Sequence, residues 1–483
     1  MTRKLLLINP RKGWRPPLGL LYIAAYARQA GYQVKILELI DEEFFPGKNT
    51  ELWRELWAFA PDVIGLGVIS WNRRVALDII RRLRVRWPEK IVICGGKDPN
   101  FKPEIYLTHG VNHVVFGEGE ETTVELLDHL FRSDGNPRSV PGIGYLDNGE
   151  VVRTQTRPVM HLDGLPYPAF DLVDYQHYCD IRLGGIPGHF IKTGFMMASR
   201  GCPYTCRFCT DPIRSRYRER PVDDIIAEIK WQMHHWKIDG MVFLDDLFYY
   251  RDQRVNTFCQ RILAEGIKLK FYAQARADRV GSPETLELMK RAGFIQIALG
   301  VESGSQRMLD IMEKQTQLAT MKEAVRKVED AGIHAYIFLI VGFPEESRED
   351  LDATARFLEE IKPTFVTVNY FMPMPGTKYF HAEDKDALEE LSFSLTENQR
   401  TFRSPVPHAE IIRYRNIFLG MARRNANFNL LRYPAFYLWA FELLIFKPVV
   451  LLRGLLKQKT QATYTSYLDA LRTAMINNRI YGS

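Results

Sequence analysis

Along the first 145 residues, short apolar runs alternate with longer amphipathic stretches. Apolar runs of four to seven residues bounded by glycine and polar residues read as buried strands. Stretches with apolar positions three or four apart read as helices. Strands are expected over 5–8, 34–39, 63–69, 91–94 and 113–116, and helices over 18–30, 53–59, 72–87 and 120–131. Such alternation, with glycines where strands end, means a doubly wound parallel sheet that takes ligands beyond the carboxyl ends of its strands. Those ends fall at residues 9–17, at 70–73, at Gly95-Gly96-Lys97 and at Gly117-Glu118-Gly119-Glu120. A hairpin over 142–155 turns at Asp147-Asn148-Gly149. Residues 157–190 are rich in proline, glycine and aspartate and read as a linker.

The alternation resumes near residue 191. Strands are expected over 195–198, 241–244, 270–275, 295–299, 335–341 and 365–371. The helix over 222–236 opens after Pro221, with Asp223 and Asp224 complementing its dipole. Further helices run through Phe258 and over 283–292. Six strand–helix units make a partial (β/α) barrel, a fold that keeps its chemistry at the carboxyl ends of its strands. From 377 the strand pattern stops and helical segments follow. The fold class is α/β, divided into 1–145, a hairpin and linker over 146–190, a barrel over 191–376 and a helical extension over 377–483.

Composition adds little beyond class. The 483 residues suffice for two or three domains, and 46% hydrophobic with 25% charged residues is ordinary for a globular protein. A net charge of +6 is a small excess for this length and does not suggest a nucleic-acid partner. Six cysteines are not a disulfide framework here, and Cys94, Cys179 and Cys259 read as buried thiols. The apolar run after Met1 is too short for a signal peptide, so a reducing, cytoplasmic setting is expected.

The run Ser199-Arg200-Gly201-Cys202-Pro203-Tyr204-Thr205-Cys206-Arg207-Phe208-Cys209 changes the picture. It follows the first strand of the barrel pattern and carries three thiolates spaced C-x3-C-x2-C. Three cysteines leave one iron of a four-iron cluster without a protein ligand, and an open metal position is where substrates bind. A zinc knuckle would want four closing ligands, and no fourth Cys or His lies at ligand spacing nearby.

This motif, with Phe208 in its aromatic slot, resembles that of the radical S-adenosylmethionine (SAM) enzymes. The resemblance implies a [4Fe-4S] cluster on Cys202, Cys206 and Cys209. It also implies SAM chelated to the open iron and cleaved to a 5'-deoxyadenosyl radical. It carries further residues with it, each at a strand end. Asp245 and Asp246 match the acidic position that holds the methionyl ammonium, and Arg276 and Asp278 match an Arg-x-Asp at the third strand. Glu302 and Ser303 match the stretch that contacts ribose and carboxylate, and Gly342 and Pro344 the loop under the adenine. A zwitterion with a diol requires such carboxylates and donors around one rim.

Pro16–Tyr22, Gly95-Gly96 and Gly117–Glu120 resemble the N-terminal cobalamin-binding domain of the B12-dependent branch of the same family, and Leu165–Asp171 resembles its connector. The resemblance implies a Rossmann-like domain with corrin contacts at Ser70, Gly95, Gly96, Gly117, Glu118 and Gly119. The branch commonly has His-Pro-Thr after the paired glycines, whereas this chain has Lys97-Asp98-Pro99. The D-x-H-x-x-G motif that supplies a lower cobalt ligand elsewhere is absent, and His109 and His113 read as surface or structural.

The implied activity is cobalamin-dependent methylation of an unactivated carbon in a small or lipid-like substrate. Oxidative cyclisation or carbon–carbon coupling without methyl transfer stays open, as does a non-catalytic iron–sulfur or zinc scaffold at a membrane surface. An electron donor of flavodoxin or ferredoxin type is implied. Residues 433–446 are nearly all apolar and aromatic, a second apolar run reaches 456 after Lys447-Pro448, and basic residues flank both, which suits a helix lying in a membrane interface, a lid on the barrel or a dimer contact. The first would place the enzyme peripherally on the inner face of the membrane.

Overall fold

The computed structural model describes residues 3–39, 56, 58–179, 192–210, 216–381 and 403–430. The apolar stretch 433–456 and most of the helix expected over 53–59 lie outside them. The chain forms two compact units. One holds Met1–Tyr178, Ser199–Glu228 and Met372–Gln399, and the other Cys179–Ala198, Ile229–Phe371 and Arg400–Ser483. The three-cysteine segment, expected within a contiguous barrel domain, is thus grouped with the N-terminal sheet.

That sheet has seven strands: β1 (Lys4–Asn9), β2 (Gln33–Glu38), β3 (Val63–Gly67), β4 (Ile91–Gly95), β5 (His113–Val115), β6 (Ile143–Asp147) and β7 (Glu150–Arg153). Their order is β2-β1-β3-β4-β5-β6-β7. The first five are parallel, and the expected hairpin adds β6 and β7 antiparallel at the edge. Parallel strands are covered on both faces and therefore read as continuous apolar runs. Leu5, Leu6, Leu7 and Ile8 of β1 are all buried. One core joins Leu6, Ile8, Ile64, Leu66 and Val92 to Ile79, Ile80 and Leu83 of the helix Arg73–Arg86. After β4 the chain passes Gly96 at φ +108, where a Cβ would lie 2.3 Å from the Val68 carbonyl oxygen, so only glycine fits. It then enters a short helix, Lys97–Phe101, which starts on the last residue of the expected Gly95-Gly96-Lys97 loop.

In the second unit β8 (Thr193–Met196), β11 (Gly240–Phe243), β12 (Lys270–Arg276), β13 (Phe294–Glu302), β14 (His334–Val341) and β15 (Phe365–Tyr370) pair in parallel and in chain order. The strands β8 and β15 are edges, so the barrel is open. Helices between the strands pack on one face, where Phe243, Phe248, Phe258, Phe271 and Phe294 form an aromatic cluster with centroids 4.3–6.5 Å apart. Strand β14 shows the two faces directly: Ala335, Ile337, Leu339 and Val341 are buried, while the alternating His334, Tyr336, Phe338 and Ile340 are half-buried. Ser347 and Asp350 form a capping box that starts the helix Arg348–Ile361 after β14. The helix His408–Leu430 packs on β15 and on that capped helix. Among the described residues no helix is long and apolar enough to cross a membrane.

Candidate functional site

In the first unit the cysteine loop is closed at its base by a two-residue strand pair. Strands β9 (Ser199–Arg200) and β10 (Arg218–Glu219) run antiparallel, with Arg200 opposite Arg218. Cys206 is buried, Cys202 and Cys209 are partly exposed, and none of the three is in a disulfide. The Cys209 amide donates to the Cys206 carbonyl at 3.2 Å, which tightens the C-x2-C turn. Among the described residues, no three or more His, Cys, Asp or Glu side chains are grouped to hold one metal ion. The donor chemistry fits a cluster in which each thiolate takes its own iron. The Arg207 guanidinium lies 5.0 Å from the Tyr379 ring, and the Lys378 amide donates to the Arg207 carbonyl.

The carboxyl edge of the N-terminal sheet carries the residues expected to meet a corrin. Gly96 and Gly117 are exposed there, with positive φ and no side chain above them. Such a cradle suits a large flat ligand. Ser70 is held differently: its hydroxyl donates to Asp98 Oδ1 at 2.5 Å. Asp98, from the segment that departs from the family pattern, is fully buried. It accepts from Arg73 Nε and Nη2 at 2.8 and 2.7 Å and from the Tyr106 hydroxyl. It thereby ties the loop after β3 to the loop after β4, an internal role that the sequence did not suggest. Burial and the Asp98 charge together push the Cys94 thiol well above its ordinary pKa. Glu118 is also enclosed by protein. Its carboxylate accepts from Arg200, Arg218 and the Met160 amide. Burial pushes its pKa up, but the two guanidinium groups outweigh burial and hold it below the usual carboxylate range.

In the second unit the strand ends gather the residues expected around SAM. Asp245 and Asp246 part company: Asp245 is buried and accepts from the Ala198 amide at 3.0 Å, while Asp246 is exposed. Arg276 holds Asp278 through Nε and Nη2 at 2.9 and 3.2 Å and donates to the Lys314 carbonyl at 2.5 Å. Glu302 stands at φ +67, in the left-handed region, beside a register shift in β13. Its carboxylate accepts from the Lys314 ammonium at 2.9 Å. Strain of this kind persists where surrounding structure imposes it, often at functional sites. Lys314 is 4% exposed and was not anticipated, because a lysine in a polar turn reads as solvated. Ser303 is buried, and its hydroxyl faces Thr354 at 3.4 Å and accepts from the Ser305 amide.

The loop after β14 is clamped from within. Gly342, at φ +88, donates its amide to Glu346 Oε2 at 2.6 Å. Glu346 is 1% exposed, and burial pushes its pKa up to about 8, partly countered by the Gly342 and Phe343 amides. Pro344 is half-buried in the same turn. The neighbouring 303–305 loop is anchored through Asp350, which accepts from Ser305 Oγ at 2.6 Å and from Arg307. Burial raises the Asp350 pKa, but these bonds and those from Ser347 outweigh it and leave it at about 2.

Two family models match the chain. That of the B12 binding domain covers residues 5–127 and that of the radical SAM superfamily residues 196–358. An uncharacterised methyltransferase of Pyrococcus horikoshii is 29% identical over 369 residues, spanning 75% of this chain and 77% of the relative. An anaerobic magnesium-protoporphyrin IX monomethyl ester cyclase of Cereibacter sphaeroides is 26% identical, over 78% of this chain and 62% of its own. A hopanoid C-3 methylase of Methylococcus capsulatus is 29% identical, over 76% and 69%. The solved structure of the radical SAM methyltransferase TsrM from Kitasatospora setae superposes with a TM-score of 0.64 over 78% of this chain and 74% of that one, at 18% identity. The fold is thus a B12-binding domain joined to a radical SAM domain, and the chain is an enzyme rather than a scaffold. Its cofactors are a [4Fe-4S] cluster, SAM and cobalamin. The chain belongs to the radical SAM family, in the branch that carries an N-terminal cobalamin-binding domain.

Proposed function

We propose that this enzyme transfers a methyl group to an unactivated carbon of a small or lipid-like substrate. The presence of both cofactor domains in one chain carries the proposal, because methyl transfer to an unactivated carbon needs both a radical generator and a methyl carrier. When bound, SAM and the reduced cluster supply the hydrogen-abstracting radical, and cobalamin supplies the methyl group.

The protein's share is binding and orientation. Cys202, Cys206 and Cys209 are assigned as the cluster thiolates, with Phe208 beside them. In the second unit Asp246, Arg276, Glu302 and Lys314 are assigned to orient the amino-acid and ribose parts of SAM. Asp245 and Ser303 hold the backbone behind them, and the Gly342–Pro344 turn underlies the adenine. In the first unit Gly95, Gly96, Gly117 and Gly119 let backbone approach the corrin, with Ser70 and Glu118 as supports. A buried cation and an exposed carboxylate on one rim suit the carboxylate and ammonium of a bound amino acid. A one-electron donor of flavodoxin or ferredoxin type would reduce the cluster. The 1–145, 146–190, 191–376 and 377–483 division is kept as the proposed domain order, and peripheral membrane attachment through 433–456 as a proposal for that segment.

A second reading, oxidative cyclisation without methyl transfer, draws on the cyclase among the relatives. Anaerobic reconstitution with iron, sulfide and hydroxocobalamin separates them. Bound corrin, 5'-deoxyadenosine and labelled methyl passing from SAM to an organic acceptor support methyl transfer. Deoxyadenosine without bound corrin would refute it.

A further inference from the structure

The Gly117–Gly119 loop and the base of the cysteine loop meet in one buried ion network. Glu118 Oε1 accepts from Arg200 Nη1 at 3.1 Å and from Arg218 Nη2 at 2.9 Å. Its Oε2 accepts from Arg218 Nη1 at 2.8 Å and from the Met160 amide at 3.0 Å. Four donors use the acceptor sites of one carboxylate, so the side chain has no capacity left for a ligand. Arg200 continues to Glu120 Oε1 at 2.6 Å and lies 5.0 Å over the Tyr22 ring. Arg218 also donates to the Met160 carbonyl at 2.6 Å. The side chains of Glu118, Arg200 and Arg218 are 8%, 10% and 17% exposed. Two cations thus meet two carboxylates largely out of water.

The network has the right neighbours to transmit position. Glu118 stands between the two glycines assigned to the corrin, and the Gly117 amide is itself held by Asn100 Oδ1 at 3.0 Å. Arg200 and Arg218 face each other across β9 and β10, so both sides of the cysteine loop's base are gripped. Only Gly201 separates Arg200 from Cys202. Gly201 is pinned at φ +80, with space for a Cβ closed off 2.5 Å away by the Arg216 carbonyl. A shift of the Gly117–Gly119 backbone therefore reaches the first cluster thiolate through one carboxylate, one guanidinium and one fixed glycine.

Building on the cofactor assignment above, we propose that Glu118 is a positioning residue that couples corrin binding to cluster binding. It acts through Arg200 and Arg218 and does not touch either cofactor. Binding free energies coupled in this way are reciprocal: cluster loading tightens corrin binding by the factor with which corrin tightens the cluster.

The test measures the dissociation constant of hydroxocobalamin by anaerobic equilibrium dialysis, in iron-free and in cluster-loaded full-length protein. The wild type is expected to bind about 5- to 150-fold more tightly when loaded. In Glu118→Gln the ratio falls to about one, while circular dichroism and iron content stay at wild-type values. If Glu118→Gln does not fold, Arg218→Gln is measured in its place. It keeps the Glu118–Arg200 contact and is expected to lower the ratio without abolishing it. A structural role alone would weaken both dissociation constants equally and leave the ratio unchanged, and that result overturns the proposal. A wild-type ratio of one overturns it too while leaving the cofactor assignment intact. A wild type that binds no hydroxocobalamin at all overturns the assignment itself.

Discussion

Replacing Glu346 with glutamine should make the protein more stable as pH rises. Glu346 is enclosed, holds the Gly342 amide, and has its pKa pushed from 4.5 up to about 8 by burial. Its folded-state pKa therefore lies above its unfolded one, so the folded state binds more protons between the two. Stability from this group is fully present below pH 4.5 and is lost as pH rises through about 8. Each pH unit inside that window removes about 1.4 kcal/mol. Across the window the loss is on the order of 5 kcal/mol, an upper limit for a side chain that can relax or take up water. Glutamine is the neutral isostere: its carbonyl oxygen still accepts from Gly342, and it has no proton to lose.

The assay is urea unfolding of wild type and Glu346→Gln at pH 5, 6, 7 and 8, read as the difference between their midpoints. Other buried carboxyls titrate as well. Burial raises Glu329 to about 7, but it is present in both proteins and cancels in the difference. Asp350 sits at about 2 and is silent across this range. The two proteins should be nearly equal at pH 5, and the variant should lead increasingly towards pH 8. A difference that does not change with pH would refute the reasoning, as would a variant that falls further behind at pH 8.

Asp98→Asn leaves Arg73 buried beside a neutral partner and should cost about 3–5 kcal/mol, read as a fall in the urea midpoint. An unchanged midpoint would mean that the Ser70, Arg73 and Tyr106 contacts carry no net stability. Lys314→Met removes the buried cation at the rim we propose for SAM. Affinity for SAM in cluster-loaded protein should fall at least about tenfold, as expected for the loss of a charged hydrogen bond. Equilibrium dialysis with labelled SAM checks this, and undiminished affinity would remove Lys314 from the site. Asp246→Ala should weaken SAM with little change in stability, whereas Asp245→Ala should destabilise by about 1–3 kcal/mol through the orphaned Ala198 amide. Reversed outcomes would exchange the roles of the two aspartates.

Much of the architecture was legible because it is local. Four successive buried residues in β1 announce a strand covered on both faces, and the C-x3-C-x2-C spacing sets three thiols on one tight loop without reference to anything distant. Strand β14 spans 334–341 against an expected 335–341. Strand β13 runs from 294 to 302, well past the expected 299, because the register shift near Gly300 hides its continuation behind glycine and a polar pair. Lys97 falls in the expected Gly95-Gly96-Lys97 loop yet opens the helix Lys97–Phe101, which at five residues is too short to show a helical period.

The pairings that escaped notice share a different property: the partners are far apart in the chain. Glu118 meets Arg200 and Arg218 at separations of 82 and 100 residues, and Asp98 meets Arg73 at 25. No periodicity encodes such a pairing, so a carboxylate at a strand end looks alike whether it awaits a ligand or already holds an arginine. Adjacent aspartates show the ambiguity at its smallest. Asp245 and Asp246 are identical in type and adjacent on the rim, yet the fold turns one inward to the Ala198 amide and leaves the other exposed. A strand-end motif therefore overcounts ligands. Within it, exposure separates a carboxylate that a ligand can reach from one already enclosed by protein donors. Asp246 is exposed on the rim, where a ligand can reach it. Asp98, Glu118 and Asp245 are enclosed by protein donors, and we propose that they hold the backbone where the cofactors need it.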